Sequence, residues 1–262
     1  MLYEKGHGVE RNETRAAAIF RKACDEGAGD ACAYLGVLQI GGRGVVMDLA
    51  AAIASFERAC DRGAPAGCGY LAVCYAEGRG VPKDMSKAIR LLQLACDGGS
   101  TSGCGNLGVF YRLGQGVVRD DAHAVALLTK ACREGEQGGD PGACFNLGAL
   151  HEEGAGTTKD AAKAARYYRL ACDVHVGSAC TALGVLYEEG RGVSVDVPKA
   201  ASLYAEGCTE GTMVGCADLG VLYVDGRGVK KDVEKGRALL QRACDAGLKW
   251  SCKRLGVSGE SP

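Results

Sequence analysis

The sequence predicts an all-α fold, a right-handed αα superhelix (solenoid) of about seven disulfide-bridged helix-turn-helix repeats of 36 residues. Three observations lead there. Fourteen of the 15 cysteines form couples whose first members lie 36 residues apart, save for one 40-residue step from Cys132 to Cys172. A fixed ruler of this length marks an array of repeats rather than one globular core. Each unit carries two apolar stretches with three- and four-residue spacing, as in Ala88, Leu91, Leu92 and Ala95, which is one face of an α-helix. β-branched runs and period-two alternation are missing.

The first element is incomplete. LYEKGHGV (Leu2 to Val9) repeats LYEEGRGV (Leu186 to Val193) and LYVDGRGV (Leu222 to Val229), so the chain opens halfway through a unit, at the tail of a first helix A. The expectation is one array over residues 1–257 that begins in mid-repeat and closes on a partial helix A, with a disordered tail at 258–262. Met1 to Gly6 does not have the form of an export signal; such a signal would belong to a part upstream of this sequence.

Every unit then shows a G-x-G-V-x-x-D turn leading into helix B. Asp48, Asp84, Asp120, Asp160, Asp196 and Asp232 stand where an N-cap carboxylate accepts from the first-turn amides, and Asn12 fills the place in the first unit. Gly63, Gly99, Gly135 and Gly247 follow helix B, where a left-handed residue closes a helix at least cost. The next helix A carries a leucine at 35, 71, 107, 147, 183, 219 and 255, read as one buried position, each followed by Gly or Ala. A side chain that small lets helix B approach closely. The short connections make the helices antiparallel neighbours.

The couples are Cys24–Cys32, Cys60–Cys68, Cys96–Cys104, Cys132–Cys144, Cys172–Cys180, Cys208–Cys216 and Cys244–Cys252, each spanning the turn from helix B to the next helix A. Read as disulfides, they would contribute roughly 2.5 kcal/mol apiece by the chain-entropy estimate for a loop of about nine residues. Zinc is the competing reading, but C-x7-C is not a zinc spacing and no histidine recurs beside the couples, so no metal and no other cofactor is expected. Cys74 stands where other units have Leu38, Phe110, Leu150, Leu186 and Leu222. It reads as a core filler and the one free thiol.

Charge excludes several functions. Lys plus Arg number 31 against 32 for Asp plus Glu, without blocks, so neither nucleic acid nor an anionic membrane is expected as a partner. No stretch approaches the ~18 to 20 apolar residues of a membrane span. Regular cysteine couples are rare in a reducing cytosol, which points to the periplasm or the exterior of the cell.

The phrase CTALGVLYEEGRGVSVDVPKA (Cys180 to Ala200), followed in other units by A-C-D-x-G, resembles the Sel-1-like repeat, a relative of the tetratricopeptide repeat. With its cysteines, the chain is similar to the bacterial Hcp-type members of that family over Tyr3 to Val257. The resemblance implies a non-catalytic, monomeric scaffold for a protein or an extended peptide. It also implies an alternative, β-lactam binding or weak β-lactam hydrolysis. The residues do not supply that chemistry: S-x-x-K is absent, Ser251 is followed at the third position by Arg254, which cannot serve as a base, and His7, His123, His151 and His175 are scattered. No catalytic residue is assigned.

By analogy with tetratricopeptide arrays, the partner would lie against helix A positions that include the second and fifth after the second cysteine. The candidates are Tyr34, Tyr70, Asn106, Asn146 and Asp218, with Arg112 eight after Cys104. Asn106 and Asn146, on adjacent repeats, carry donor and acceptor on one amide and suit a peptide backbone, while Arg112 suits a carboxylate. The competing reading for each is a solvated or locally bonded side chain. Tyr75, Tyr111, Tyr187 and Tyr223 read as core, His151 as an inter-repeat hydrogen-bonding group, and Arg43, Arg79, Arg191 and Arg227 as a solvated turn rather than a positive row. The inserted residues Glu136 to Gly139 are expected to make one loop project.

Overall fold

The structure, a computed structural model, describes residues 12–133 and 139–256. Among these residues there are helices and no strand, and the chain divides into two compact units, 1–131 and 132–262. The opening helix A tail, Gly135, Glu136 to Gly138 of the insertion and the 258–262 tail lie outside the described residues.

The first unit holds α1 (Glu13–Asp25), α2 (Gly29–Gly41), α3 (Leu49–Asp61), α4 (Pro65–Glu77), α5 (Met85–Asp97), α6 (Thr101–Leu113) and α7 (Asp121–Cys132). The second holds α8 (Pro141–Glu153), α9 (Ala161–Cys172), α10 (Gly177–Glu189), α11 (Val197–Thr209), α12 (Met213–Asp225), α13 (Val233–Asp245) and α14 (Lys249–Leu255). Odd-numbered helices are helix B and even-numbered ones helix A. In each unit helices pack on their neighbours in sequence, α6 and α7 through Gly108 against Leu128, and α2 with α4, α4 with α6 and α10 with α12 also touch.

Local chemistry starts and stops each helix. All seven N-cap side chains, Asn12 and the six aspartates, accept from the amide three residues on, at 2.8 to 2.9 Å. Asp140 and Ser100 cap two helices A in the same way. The G-x-G turn uses its two glycines differently. In GRG at 190–192, Gly190 takes the left-handed conformation that ends α10 (φ 71), whereas a Cβ on Gly192 would lie 2.2 Å from the Ala161 backbone at the start of α9. The second glycine is therefore a contact with the preceding repeat. Helix B turns over at Gly63, Gly99, Gly211 and Gly247, all at positive φ. His175 takes that left-handed place in one repeat (φ 66), at a cost of about 1 kcal/mol that glycine avoids.

Packing follows the small residue after each leucine. A Cβ on Gly36 would stand 2.4 Å from the Phe56 ring, and one on Gly184 2.7 Å from Tyr204. An aromatic of helix B thus lies directly on the backbone of helix A. The leucines at 35, 71, 107, 147, 183 and 219 are buried. Leu255 departs from the expectation and is only half-buried: α13 packs on α14, but no following helix B covers its other side among the described residues.

All seven expected disulfides are formed, and Cys74, 2 % exposed, is the free cysteine. Burial is the first cause that pushes its thiol above the ordinary 9.0. Denatured, unreduced protein is expected to react with one equivalent of a thiol reagent, and reduced protein with fifteen. A count of three or more before reduction would mean an open bridge.

Candidate functional site

In the first unit the candidate residues converge on the helix A faces. Tyr34 on α2 and Tyr70 on α4 are exposed, each stacked at 5.2 Å on an aromatic of helix B, Phe20 and Phe56 respectively. Stacking holds each ring in place while it stays exposed. Tyr70 and Val73 line a cavity of about 220 Å³ with Val37 and Phe56. Val73 also lines a larger one of about 500 Å³ among α4, α5 and α6, with Ala76, Met85, Asn106 and Phe110. Glu77, Lys83 and Gln115 lie at its polar side. Asn106 is exposed, and its amide makes no hydrogen bond among the described residues.

Arg112 lies further along the same helix as Asn106. It is half-buried in the last turn of α6, and after the bond from Arg119 its charge helps hold the Asp121 carboxyl below the usual carboxylate range.

The second unit has another character. The Asn146 amide donates to the Gly142 carbonyl at 2.8 Å, so its nitrogen is held within its own helix. Asp218 on α12 is half-buried with no hydrogen bond or ion pair among the described residues. Burial first, and then the neighbouring Glu188 carboxylate, push it up to about 6.

A network that the sequence reading missed surrounds it. The Tyr204 hydroxyl donates to Glu188 Oε2 at 2.7 Å, and Arg227 holds Glu188 Oε1 at 3.0 Å. One repeat earlier, Tyr168 donates to Glu152 Oε2 at 2.7 Å and Arg191 holds Glu152 Oε1 at 2.6 Å. Helix A, helix B and the next turn are joined each time. Arg191 and Arg227 thus clasp the preceding repeat as well as lying in the turn, where Arg227 stays exposed; the signal was their 36-residue register with the two tyrosines and the two glutamates.

The remaining candidates are structural. Tyr75 is buried, while Tyr111, Tyr187 and Tyr223 are half-buried. The hydroxyls of Tyr75, Tyr187 and Tyr223 meet Lys87, Arg169 and Lys235, and Tyr111 packs edge-on to His123. His151 is buried and stacks at 5.4 Å on Tyr167 of its own hairpin, with Nδ1 unpartnered. It does not bridge repeats as expected, and burial holds its pKa below 6.5. Ser251, the serine nearest the lactamase pattern, is fully buried and donates to the Leu248 carbonyl at 2.7 Å. A hydroxyl so placed cannot attack a lactam.

Stapled αα hairpins repeated in register define a helical repeat array. Sel1 repeats match residues 1–27, 29–63, 65–100, 101–136, 141–174, 177–211 and 214–248. The chain belongs to the Sel1 repeat family. It is similar to c5321, a protective antigen of uropathogenic Escherichia coli with an SLR fold, at 26 % identity and a TM-score of 0.79, over 99 % of this chain. The chain spans 56 % of that protein's length. A Sel1 repeat protein from Oxalobacter formigenes is 27 % identical with a TM-score of 0.76, over 97 % of this chain and 73 % of that one. Cysteine rich protein B of Helicobacter pylori is 28 % identical over 53 % of this chain and 98 % of its own, with a TM-score of 0.41 that carries no structural weight. A search of the curated proteins found no match.

Proposed function

We propose that the chain is a non-catalytic scaffold that grips an extended segment of a partner protein along the helix A face of its first unit. The observation that carries this reading is the 500 Å³ cavity with the unpartnered Asn106 amide at its wall. An apolar recess takes a partner side chain, and a free amide beside it pairs with that partner's backbone. Tyr34 and Tyr70 extend the strip with exposed aromatic rings. Asp218 supplies a carboxylate in the second unit. Seven bridges fit a chain that folds in an oxidising compartment, and we assign its work to the periplasm or the cell exterior.

Selection of a random displayed peptide library on the oxidised full chain tests the assignment. Bound peptides are expected to share an apolar anchor. Asn106→Ala should weaken them about fivefold, the worth of one neutral hydrogen bond at ~1 kcal/mol. Val73→Glu should weaken them at least about tenfold by placing an unpaired charge in the recess. Asn146→Ala should do less, since that amide is already bonded. Peptides that bind both first-unit variants as tightly as the parent, with helix content unchanged by circular dichroism, would dismiss the groove.

A further inference from the structure

At three of the bridges a basic side chain reaches back from the following helix B, whereas at the fifth an acidic one does. The residue 34 positions after the first cysteine of a bridge reaches back to it from the following helix B. Arg58 donates to the Cys24 carbonyl at 3.1 Å, Lys130 to the Cys96 carbonyl at 3.0 Å, and Arg242 lies 3.7 Å from Cys208 Sγ. Arg62 adds a second cation 3.2 Å from Cys32 Sγ. Leu94 stands at this position for Cys60–Cys68, and Leu170, 38 residues after Cys132 because of the four-residue insertion, is its register equivalent for Cys132–Cys144. Beside Cys172–Cys180 the position is Glu206, whose Oε2 lies 3.5 Å from Cys172 Sγ and 4.0 Å from Cys180 Sγ. All three donor atoms lie within 4.8 Å of one another.

These separations have a meaning in coordination geometry. With Zn–S near 2.3 Å and Zn–O near 2.1 Å, the edges of a tetrahedral site are about 3.6 Å from oxygen to sulfur and about 3.8 Å from sulfur to sulfur. The two oxygen-to-sulfur edges are already in place. Only the sulfur pair is closer, because the two atoms are bonded.

We propose that Cys172, Cys180 and Glu206 form a redox-gated site for a thiophilic divalent cation of the zinc class, closed by the disulfide and opened when it is reduced. A dithiol reductant gives two electrons and two protons, the Cys172–Cys180 bond breaks, and the reductant leaves as its own disulfide. The cation then displaces both thiol protons, binds two thiolates and the carboxylate, and keeps water in the fourth position. The glutamate selects this pair. The arginines and the lysine at the other bridges repel a cation, and the leucines supply no donor. Glu206 itself is exposed, so the cation has a path in.

The test is residue-resolved alkylation of the full chain, with zinc ion as the probe. The protein is reduced anaerobically with a trialkylphosphine, where water supplies the oxygen of the phosphine oxide and the two thiol protons. It is then alkylated with and without zinc, and each cysteine peptide is quantified by mass spectrometry. Zinc is expected to slow alkylation of Cys172 and Cys180 at least about tenfold, leave the other six pairs unchanged, and lose most of that protection in Glu206→Gln. Equal protection of all pairs, none at Cys172 and Cys180, or protection that survives Glu206→Gln would overturn the site. So would a reduced chain that loses its helices and binds zinc nowhere.

Discussion

Replacing Cys96 and Cys104 together by alanine is expected to lower the stability of the first unit by about 2.5 kcal/mol, the loop-closure entropy restored to the unfolded chain by opening a nine-residue loop. Both sulfurs sit among packed helices, at 1 % exposure, so lost contacts add to the entropic effect. Lys130 still holds the Cys96 carbonyl at 3.0 Å, which keeps the end of α5 capped and confines the change to the covalent link. In a stack where each repeat touches only its neighbours, loss at one joint stays near it. Urea unfolding should show the drop, and hydrogen exchange should show it in α5 and α6 first. Unchanged protection of those two helices would mean that the bridge follows the fold and adds nothing to it.

The repeat was legible because its chemistry is local. An aspartate before helix B, a glycine after it and a leucine followed by a small residue each act within a few residues, so the 36-residue register exposed them. The bridges were legible for the same reason. What escaped were partners set by the neighbouring repeat. Arg191 and Glu152 are 39 residues apart, and Glu206 and Cys172 34. The first pair exceeds a one-repeat window and the second spans nearly all of one, so neither is read from neighbouring residues.

The candidate site divides in the same way. Tyr70 and Asn106 were found from their place on helix A, and the structure brings both to recesses lined by Val73. Asn106 and Asn146 occupy places that read alike in sequence, yet the first is exposed at a recess and the second bonds Gly142. Position on a helix face tells which way a residue points. It does not tell whether its polar atoms are already engaged.

Asp218→Asn is expected to stabilise the second unit at pH 7.5 by about 1–2 kcal/mol. The carboxyl titrates near 3.8 when solvated and is pushed up to about 6 in the fold, first by burial and then by Glu188. Tyr204 and Arg227 both bind Glu188, and neither pairs with Asp218. The folded state therefore holds this proton more tightly than the unfolded chain. Its stabilising effect is fully present below pH 3.8 and is lost as the pH rises through about 6. A gap of about two units corresponds to ~3 kcal/mol at 1.36 kcal/mol per unit, reduced here because the side chain is only half-buried. The asparagine has no such titration, so parent and variant should differ at pH 7.5 and converge near pH 3.5 in urea titrations. A difference that is the same at both pH values would put the cause in packing rather than charge.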